Sequence, residues 1–398
     1  MGKNQISDKI KNKFKLANVA KKYEETAELL QTQEKGFIKL EKDEKMPTQK
    51  KIKMNVANSV REKAFSLNLE ESNWKSSYSI DGRFLLLHNK SSITVFDNKT
   101  LNVFYEREIK NIETSIFLHN EQYCAISADS FYIYNKNGQE IHHLPKYRDV
   151  KKMTFLPDHF LLATLHRSPF LKYFDTSIGK EVAAIFIKEK NCSSISRRSD
   201  GIVLIGGNKG TVSFYSPNTK EALCKILVNS AKITSISVKN DNFACSSLQG
   251  TYFYDFRKLN EPIYRLPKSE NVSLSNTLAF SFRNTVCTFL NGNPYVKETY
   301  KGVNSIEFAP YEDILTVGTS LGLRNMIVPG SGEANIDADE DSPFLTKKQR
   351  KEREIQKLLQ KIPSTFIGSK FIVDDVEEIK QKDEPEKPKR TGPLARFY

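Results

Sequence analysis

The middle of the chain repeats one pattern of hydrophobic and polar positions. A short stretch of alternating apolar side chains ends in a large, mostly aromatic residue, a polar or turn-forming residue follows, and the chain then turns tightly. Alternation with a period of two is typical of β-strands. Seven stretches follow the pattern: SITVFDNKT, FYIYNKNG, LKYFDTSIG, VSFYSPNT, TYFYDFRK, VCTFLNG and RNMIVPG.

The spacing of these stretches is nearly constant. Their last large residues lie 38, 40, 41, 39, 35 and 38 positions apart, and they are Phe96, Tyr134, Phe174, Tyr215, Tyr254, Phe289 and Ile327. A period of about 40 residues with strands and turns is the signature of a β-propeller, in which each blade has four strands. The sequence therefore predicts an all-β fold, a seven-bladed propeller over residues 64–330.

The Trp-Asp dipeptide that ends the third strand of WD repeats is altered throughout. Phe or Tyr stands in place of Trp, and the acidic residue is kept only as Asp97, Asp175 and Asp255. The period, and not the signature dipeptide, therefore identifies a WD-repeat propeller.

The seventh repeat lacks a fourth strand, because it breaks at Pro329 and Gly330. Just before the first repeat, Phe65, Leu67 and Leu69 alternate with polar residues. We predict that residues 64–69 supply the missing outer strand, which would join the first and last blades and remove an exposed sheet edge.

Residues 1–63 are predicted to form a basic, helical N-terminal arm. Leu16, Val19 and Tyr23 belong to a set of apolar residues at helical spacing, and lysines surround this face. An amphipathic helix beside a domain packs either on that domain or on a partner. We expect a partner here, because the surrounding residues are basic.

Residues 331–370 contain a second predicted helix, with the sequence TKKQRKEREIQKLLQKIP. Thr346 and Gln349 have the spacing of a capping box, and Pro363 ends the helical pattern. An apolar stripe along the helix predicts a contact face for a partner. The stripe consists of Ile355, Leu358, Leu359 and Ile362.

The first half of this second helix is almost entirely basic. Positive charge near a helix N-terminus opposes the helix dipole, so it is tolerated more easily where an anion binds. We expect RNA or an acidic partner there, and the alternative is a solvated surface helix. The basic residues are Lys347, Lys348, Arg350, Lys351 and Arg353.

A turn is predicted where the chain leaves the propeller. Pro329, Gly330, Gly332 and Glu333 would form it, because glycine permits the positive φ that such turns need. Residues 371–398 hold seven acidic residues and three prolines, which predicts an extended charged tail that orders on binding.

The composition excludes several classes of protein. The chain has 398 residues with 38% hydrophobic content and a net charge of +13, which excludes global disorder. No apolar run approaches the roughly 18 residues of a membrane-spanning helix, and the N-terminus lacks the apolar stretch of a secretory signal. Five single cysteines without a CxxC motif predict buried, reduced thiols in a cytosolic or nuclear protein.

Three motifs resemble those of enzymes or metal sites. Residues 318–322 match GxSxG, but a second predicted strand follows where a nucleophile elbow needs a helix. Residues 206–211, GGNKGT, have the wrong order for a phosphate loop and no following helix. Six histidines lack metal-binding spacing. We therefore predict hairpin turns at both glycine motifs, with no catalytic residue, metal or cofactor.

Several longer strings go beyond general propeller patterns. The first is VPGSGEANIDADEDSPFLTKKQRKEREIQKLLQKI after the last blade, and GPLARFY ends the chain. Four more lie within the blades: FLHNEQ at 117–122, FLPDHFLLA at 155–163, YSPN at 215–218 and FAPYEDIL at 308–315. In these strings the sequence resembles the U3 small nucleolar RNA-associated protein 7 family, also called WD-repeat protein 46. Ala334 and Ile336 depart from the family, which tends to have Pro and an aromatic residue there.

The resemblance implies a structural, non-catalytic subunit of the small-subunit processome, the 90S pre-ribosome of the nucleolus. It implies a role in U3-dependent processing of pre-ribosomal RNA towards 18S rRNA and the 40S subunit. The implied partners are pre-18S rRNA and U3 small nucleolar RNA, bound directly or through neighbours, and other processome proteins that include WD-repeat subunits. It implies no membrane and no small-molecule substrate.

Two other functions stay open at this point. Tyr254, Asp255, Phe256 and Arg257 approximate the WDxR element of propellers that serve as substrate receptors of cullin-type ubiquitin ligases. A general nuclear WD-repeat scaffold without a link to ribosomes is the other alternative.

Overall fold

The computed structural model describes residues 13, 15–19, 36–38, 46–98, 100–118, 123–135, 137–333 and 346–368. Its strands form seven separate four-stranded antiparallel sheets. The first strand of each sheet contacts the first strand of the next, and the seventh contacts the first. The predicted seven-bladed β-propeller is confirmed.

The strands alternate with short turns along the whole ring. In chain order they are β1 (Ser66–Asn68), β2 (Lys75–Tyr78), β3 (Phe84–His88), β4 (Ser92–Asp97), β5 (Asn102–Glu108), β6 (Thr114–Phe117), β7 (Tyr123–Ser127), β8 (Phe131–Asn135), β9 (Glu140–Leu144), β10 (Val150–Leu156), β11 (Leu161–His166), β12 (Phe170–Asp175), β13 (Lys180–Phe186), β14 (Ser194–Arg197), β15 (Val203–Gly206), β16 (Thr211–Tyr215), β17 (Cys224–Leu227), β18 (Ile233–Lys239), β19 (Asn242–Ser247), β20 (Thr251–Asp255), β21 (Tyr264–Leu266), β22 (Asn271–Leu274), β23 (Leu278–Phe282), β24 (Thr285–Leu290), β25 (Asn293–Thr299), β26 (Val303–Phe308), β27 (Ile314–Thr319) and β28 (Gly322–Ile327).

Blades 1 to 6 take four consecutive strands each, from β2–β5 to β22–β25. Blade 7 consists of β26, β27 and β28 with β1 as its outer strand. We call the side with the turns from first to second and from third to fourth strands the AB face. The opposite side, with the turns from second to third strands and the connections between blades, is the DA face.

The described helices lie outside the blades. They are α1 (Gln49–Met54), α2 (Asn58–Lys63), α3 (Lys347–Leu359) and a 3₁₀ turn at Ser364–Phe366. Residues 13 and 15–19 are also helical. No helix among the described residues is long and apolar enough to span a membrane.

The ring closes as the alternation at residues 64–69 predicted. Strand β1 pairs antiparallel with β28, and Leu67 lies opposite Leu323. The backbone N–H of Asn325 also donates to the carbonyl oxygen of Phe65 at 3.1 Å. An early segment of the chain thus completes the last blade, and β1 covers the edge of β28 that would otherwise be unpaired.

The core lies between the blades, where the large residues of the third strands pack. Phe96, Tyr134, Phe174, Tyr215, Tyr254 and Ile327 are all buried. Pairs of rings join neighbouring strands, as for Phe243 and Tyr254, whose centroids are 5.1 Å apart. Phe and Tyr therefore fill the position that Trp usually occupies, since aromatic rings bury a large apolar area.

The three acidic residues kept from the WD pattern end their third strands and pair with basic groups. Asp97 pairs with Arg83 at 3.2 Å, and Asp255 pairs with Arg257 at 2.9 Å. Asp175 forms its ion pair with Lys361, which lies beyond the propeller in the chain. Asp175 therefore connects blade 3 to the C-terminal segment.

The five cysteines are free thiols. Cys124, Cys192 and Cys245 are buried, and Cys287 is half-buried. Cys224 is exposed, so the prediction of burial was wrong there, because β17 is the outer strand of blade 4.

Closure of the ring depends on Gly322, which has a φ of +126°. A Cβ atom there would lie 2.3 Å from the carbonyl oxygen of Leu67 on the closing strand. We expect Gly322→Asn to lower the free energy of unfolding by about 2–4 kcal/mol, measured by urea denaturation. Gly179→Asn is the matched control, since Gly179 has a φ of +74° and open space around it. Equal stability of the two variants would contradict this account of the closure.

The innermost strand of blade 7 carries a buried carboxyl group. Burial raises the pKa of Glu307 to about 8, although the Tyr78 backbone N–H donates to its Oε1 at 3.2 Å. In the unfolded chain this carboxyl group ionises near its ordinary pKa of 4.5. The contribution of Glu307 to the free energy of unfolding is therefore largest below pH 4.5 and is lost as the pH rises to about 8.

Glu307→Gln keeps the hydrogen-bond acceptor and removes the titration. We expect it to raise the free energy of unfolding at pH 8 by about 2–4 kcal/mol and to have little effect near pH 4.5. Urea denaturation from pH 5 to pH 9 measures the difference, with the exposed Glu261→Gln as control. A difference between Glu307→Gln and wild type that does not change with pH would refute this assignment.

Candidate functional site

The residues that follow the last strand stay attached to the AB face. The hydroxyl of Tyr295 donates to the carbonyl oxygen of Pro329 at 3.0 Å. The next anchor is Ser331, which is fully buried and whose carbonyl oxygen accepts from Ser275 Oγ at 2.7 Å and from Asn276 Nδ2 at 3.2 Å. The chain therefore passes from blade 7 to the AB turn of blade 6.

The predicted turn at Pro329, Gly330, Gly332 and Glu333 has glycines for two reasons. Gly330 has a φ of +80°, and a Cβ atom there would lie 2.4 Å from the ring of Phe37. At Gly332 a Cβ atom would lie 2.6 Å from the backbone of Glu312, so glycine is required there because the two backbones lie too close together for a side chain. These contacts leave no room for larger side chains.

Charged groups hold the end of the turn. The backbone N–H of Gly332 donates to Asp313 Oδ1 at 2.8 Å, and Glu333 pairs with Lys239 of blade 5 at 3.1 Å. The turn therefore directs the chain across the AB face from blade 7 towards blade 5.

Helix α3 begins at the predicted capping box, which is confirmed. The backbone N–H of Gln349 donates to Thr346 Oγ1 at 3.3 Å, and the Thr346 N–H donates to Gln349 Oε1 at 2.9 Å. The helix ends at Leu359, before the predicted stop at Pro363, because residues 361–362 already bond to blade 3.

The basic residues of α3 lie largely in solvent where their side chains are described. Lys348 and Lys351 are exposed, and Lys348 lies 3.6 Å from Glu352 one turn later. One terminal guanidinium nitrogen of Arg353 is buried and has no hydrogen-bond partner within residues 346–368 or elsewhere in the described chain. The side chains of Lys347 and Arg350 lie outside the described part.

The apolar stripe of α3 is also largely uncovered. The exposed fractions are 58% for Ile355, 47% for Leu358 and 82% for Leu359. In the N-terminal helical stretch, Leu16 and Val19 are 44% and 43% exposed. Tyr23, the third residue of that predicted face, and the tail 371–398 lie outside the described residues.

The chain returns to the AB face directly after α3. The backbone N–H of Ile362 donates to the carbonyl oxygen of Asp158 at 2.9 Å, and His159 Nδ1 lies 3.0 Å from the Ile362 carbonyl oxygen. The neighbouring Lys361 pairs with Asp175 and donates to Ser177 Oγ at 2.8 Å. All of these anchors belong to blade 3.

Ile367 is the apolar anchor of this segment. Its side chain is 1% exposed and packs in the core between blades 3 and 4. Ser216 Oγ donates to its carbonyl oxygen at 2.6 Å, and Asn218 Nδ2 donates to the carbonyl oxygens of Thr365 and Ile367, each at 2.8 Å. Residues 361–368 are thus held by both packing and hydrogen bonds.

The anchors coincide with strings that the sequence analysis singled out for another reason. FLPDHFLLA supplies Asp158 and His159, YSPN supplies Ser216 and Asn218, and FAPYEDIL supplies Asp313. FLHNEQ lies in the equivalent turn of blade 2, but its residues 119–122 lie outside the described chain. The strings therefore mark turns on the AB face, and three of them bind the C-terminal segment.

Part of the predicted N-terminal arm meets the same turn. The backbone N–H of Ile38 donates to the Tyr295 hydroxyl at 2.9 Å. The Gln49 side chain exchanges hydrogen bonds of 2.9 and 3.0 Å with the backbone of Ile327, as a neighbouring strand would. Ile52 of α1 is buried in the core of blade 7. The described residues 46–63 therefore pack on the propeller.

Both glycine motifs are hairpin turns, as predicted. Residues 318–322 join β27 to β28, and residues 206–211 join β15 to β16. In the second turn the Glu189 carboxylate occupies the place of a bound anion, because it accepts from the Lys209 N–H at 2.8 Å and from the Thr211 hydroxyl. Burial alone would raise the pKa of Glu189, but these hydrogen bonds lower it. An acidic side chain so placed would repel a phosphate.

The charged residues of the WDxR element bind each other, and the described histidines belong to no metal site. Asp255 and Arg257 pair with each other at 2.9 Å in the turn after β20. Across the described ranges, no group of three or more His, Cys, Asp or Glu residues is placed to hold a metal ion.

A known domain covers the C-terminal segment and its supports. The sequence pattern of the BING4CT (NUC141) domain matches residues 294–370, from β25 through blade 7 to the end of the described segment. The match therefore includes the turn at 329–333, α3 and the anchor at Ile367.

Proteins similar to this chain are known in animals and yeast. WD repeat-containing protein 46 of Caenorhabditis elegans is 32% identical over an alignment of 369 residues that covers 87% of this chain and 63% of that protein. U3 small nucleolar RNA-associated protein 7 of Saccharomyces cerevisiae is 31% identical over an alignment of 355 residues that covers 80% of this chain and 64% of that protein. The chain spans slightly less than two thirds of the length of these curated relatives.

The fold has solved counterparts as well. The β-propeller domain of Myceliophteria thermophila Cps50 (Swd1) superposes with a TM-score of 0.58 at 14% identity, covering 66% of this chain and 98% of that domain. At this identity the likeness concerns the fold alone. From the sequence similarity and the BING4CT domain together, the chain belongs to the family of WD repeat-containing protein 46 and U3 small nucleolar RNA-associated protein 7.

Proposed function

We propose that this protein is a non-catalytic structural subunit of the small-subunit processome. In this role it acts in U3-dependent processing of pre-ribosomal RNA towards 18S rRNA and the 40S subunit, in the nucleolus. The observation that carries the proposal is its identity of 31% over 80% of the chain with a U3 small nucleolar RNA-associated protein. The BING4CT domain at residues 294–370 supports the same assignment.

The geometry favours a scaffold in which the propeller presents helix α3 as a binding surface. The propeller supplies a rigid ring, and residues 328–333 and 361–368 are fastened to its AB face at blades 7 and 3–4. Helix α3 is thereby kept beside the propeller with Lys348 and Lys351 in solvent. Such basic side chains neutralise RNA phosphates without reading sequence, which suits a structural subunit.

The partners of this surface follow from its two kinds of side chain. The basic residues at 347–353 would bind pre-18S rRNA, U3 small nucleolar RNA or an acidic neighbour. The apolar residues Ile355, Leu358 and Leu359, with Leu16, Val19 and Tyr23 of the N-terminal helix, would bind other processome proteins, including WD-repeat subunits. Several weak contacts made together give high affinity in a large particle.

Purification of the tagged chain from cells tests this function. We expect it to sediment with pre-ribosomes and to recover U3 RNA and pre-18S rRNA. Ser320→Ala is a control for the hairpin that resembles a nucleophile elbow, and it should leave both results unchanged. Recovery of neither RNA would refute the proposal, whereas recovery of a cullin-ligase adaptor would support the substrate-receptor alternative.

A further inference from the structure

The first strands of the blades carry a ring of equivalent positions near the DA face. Each position lies four residues before the turn into the second strand, as the strand registers show. All seven residues are polar, but only two are charged. They are Lys75, Thr114, Lys152, Ser194, Ser235, Asn271 and Ser305.

Within the part of the chain that the structure describes, the two lysines of this ring and their neighbour Lys151 form no ion pair. Lys75 Nζ donates to the backbone carbonyl oxygen of Glu113 at 3.2 Å, and Lys151 Nζ donates to that of Cys192 at 2.8 Å. The Lys152 ammonium group has no hydrogen bond or ion pair with any residue that the structure describes. Among the described residues, the hydrogen-bond partners of these three ammonium groups are thus two neutral carbonyl oxygens.

The electrostatic effect of this arrangement is large. Burial lowers the pKa of Lys152 to about 8, and the positive charges of Lys75 and Lys151 lower it further in the same direction. Burial also lowers the pKa of Lys75 and of Lys151. Lys75 and Lys152 belong to blades 1 and 3. Charges from different blades therefore repel each other around the central channel that the innermost strands of a propeller enclose.

The surroundings add positive charge. Lys90 lowers the pKa of Lys75 further, and Lys232, which precedes blade 5, does the same for Lys151. The acidic group that counters these lysines is Glu113, but its side chain already forms an ion pair with Arg167. The cluster therefore keeps a net positive charge.

Polar atoms without partners lie in the same layer. Ser194 belongs to the ring, is 4% exposed, and its Oγ has no hydrogen-bond partner among the described residues. His88 pairs in register with Lys75, and its Nδ1 lies 2.7 Å from Ser115 Oγ, but its Nε2 is likewise unpartnered there. Burial and then the charges of Lys75 and Lys152 lower the pKa of His88 to about 3, so the imidazole of His88 stays neutral.

An anion at this position would supply the counter-charge that the lysines need. Lys75, Lys151 and Lys152 are half-buried, and positive charges that are partly removed from water are unfavourable unless a counter-charge is supplied. Arginine and lysine both bind phosphate, and lysine does so as a flexible point charge. The three cations proposed to bind here are all lysines, which suits a phosphate group that is held by charge and not by a fixed pair of hydrogen bonds.

We propose that the channel mouth on the DA face binds a backbone phosphate of single-stranded RNA through Lys75, Lys151 and Lys152. The choice of RNA as the source of the phosphate rests on the proposed function. The AB face carries the C-terminal segment, so this second site lies on the opposite side of the ring from the anchors of α3. One propeller would then contact RNA on two sides.

The test uses the purified full chain and a fluorescein-labelled 12-nucleotide oligouridylate, with binding measured by anisotropy at several salt concentrations. We expect K75M/K151M/K152M to bind about tenfold more weakly and to reduce the slope of log affinity against log salt by about 2 to 3. The matched control K180M/K220M/K297M removes three exposed lysines and should change both values little.

Two further measurements keep the test decisive. The single variant K152M removes the unpartnered charge and should unfold at the same or a higher temperature than wild type while binding RNA more weakly. A polyglutamate peptide of equal charge should compete poorly with the oligouridylate. Unchanged RNA affinity of the triple and single variants, or stronger binding of the peptide than of RNA, would overturn this proposal.

Failure here can be told apart from failure of the proposed function. If the triple variant binds RNA as wild type does but the tagged protein still recovers U3 RNA and pre-18S rRNA, only the channel site is refuted. If neither RNA is recovered and the triple variant still weakens oligouridylate binding, the site stands and the processome assignment fails.

Discussion

Reversing the charge of the basic half of α3 is expected to abolish incorporation into pre-ribosomal particles. Lys348 and Lys351 are exposed, so their side chains are available to a ligand, whereas Arg353 is half-buried. Loss of phosphate contacts weakens RNA binding and lowers the salt slope by about 1 for each contact, and the introduced glutamates add repulsion. The variant is K347E/K348E/R350E/K351E/R353E.

Gradient sedimentation of the tagged variant measures the effect. The propeller should remain folded with an unchanged thermal transition, because the described basic side chains of α3 form no ion pair with the blades. K180E/K220E/K258E/K297E/K301E reverses five exposed lysines on the blades and is the control for net charge. Normal sedimentation of the α3 variant with pre-ribosomes would disprove its role in RNA or acidic-partner binding.

Replacing Ile367 with aspartate is expected to release the C-terminal segment from the propeller. The side chain is 1% exposed between blades 3 and 4, where an ionised carboxylate has no partner. The buried Ile367 side chain contributes about 1.5–3 kcal/mol to the free energy of docking. Each hydrogen bond from Ser216 and Asn218 contributes about 1 kcal/mol more. We therefore expect docking to weaken by about 3–5 kcal/mol.

Limited digestion with trypsin reports this release, because the segment is rich in lysine and arginine. Cleavage within residues 346–361 should become faster while the blades stay resistant. Leu359→Asp is the matched control: Leu359 is 82% exposed, so the same substitution should not change the digestion. Identical digestion of Ile367→Asp and wild type would show that Ile367 does not hold the segment.

Local sequence patterns were sufficient for the blades. The period of the aromatic residues predicted seven sheets, and the alternation of Phe65, Leu67 and Leu69 predicted the closing strand. The capping box at Thr346 and Gln349 was predictable because its two residues are neighbours on one helical turn. In each case the interacting residues are close in sequence or repeat at a fixed spacing.

The docking of the C-terminal segment could not be predicted in this way. Ser216 binds Ile367 across 151 positions, and His159 contacts Ile362 across 203 positions. Hydrogen bonds of this separation leave no periodic signal in one sequence. The strings FLPDHFLLA and YSPN were visible as unusual turns, but only the structure shows that they bind the chain's own C-terminal segment.

The packing of residues 46–63 on the propeller could not be predicted for a related reason. Residues 46–63 were included in a basic arm, yet Ile52 is buried in blade 7 and Gln49 bonds to the backbone of Ile327. One buried isoleucine among lysines gives little amphipathic pattern, and the backbone of Ile327 that Gln49 contacts lies 278 positions away in the sequence.

Ultraviolet crosslinking of the tagged protein in cells, followed by sequencing of the bound RNA and mapping of crosslinked peptides, tests the processome assignment most directly. We expect enrichment of U3 RNA and of the 18S region of the precursor, with crosslinked peptides from residues 346–353. Enrichment of neither RNA would contradict it.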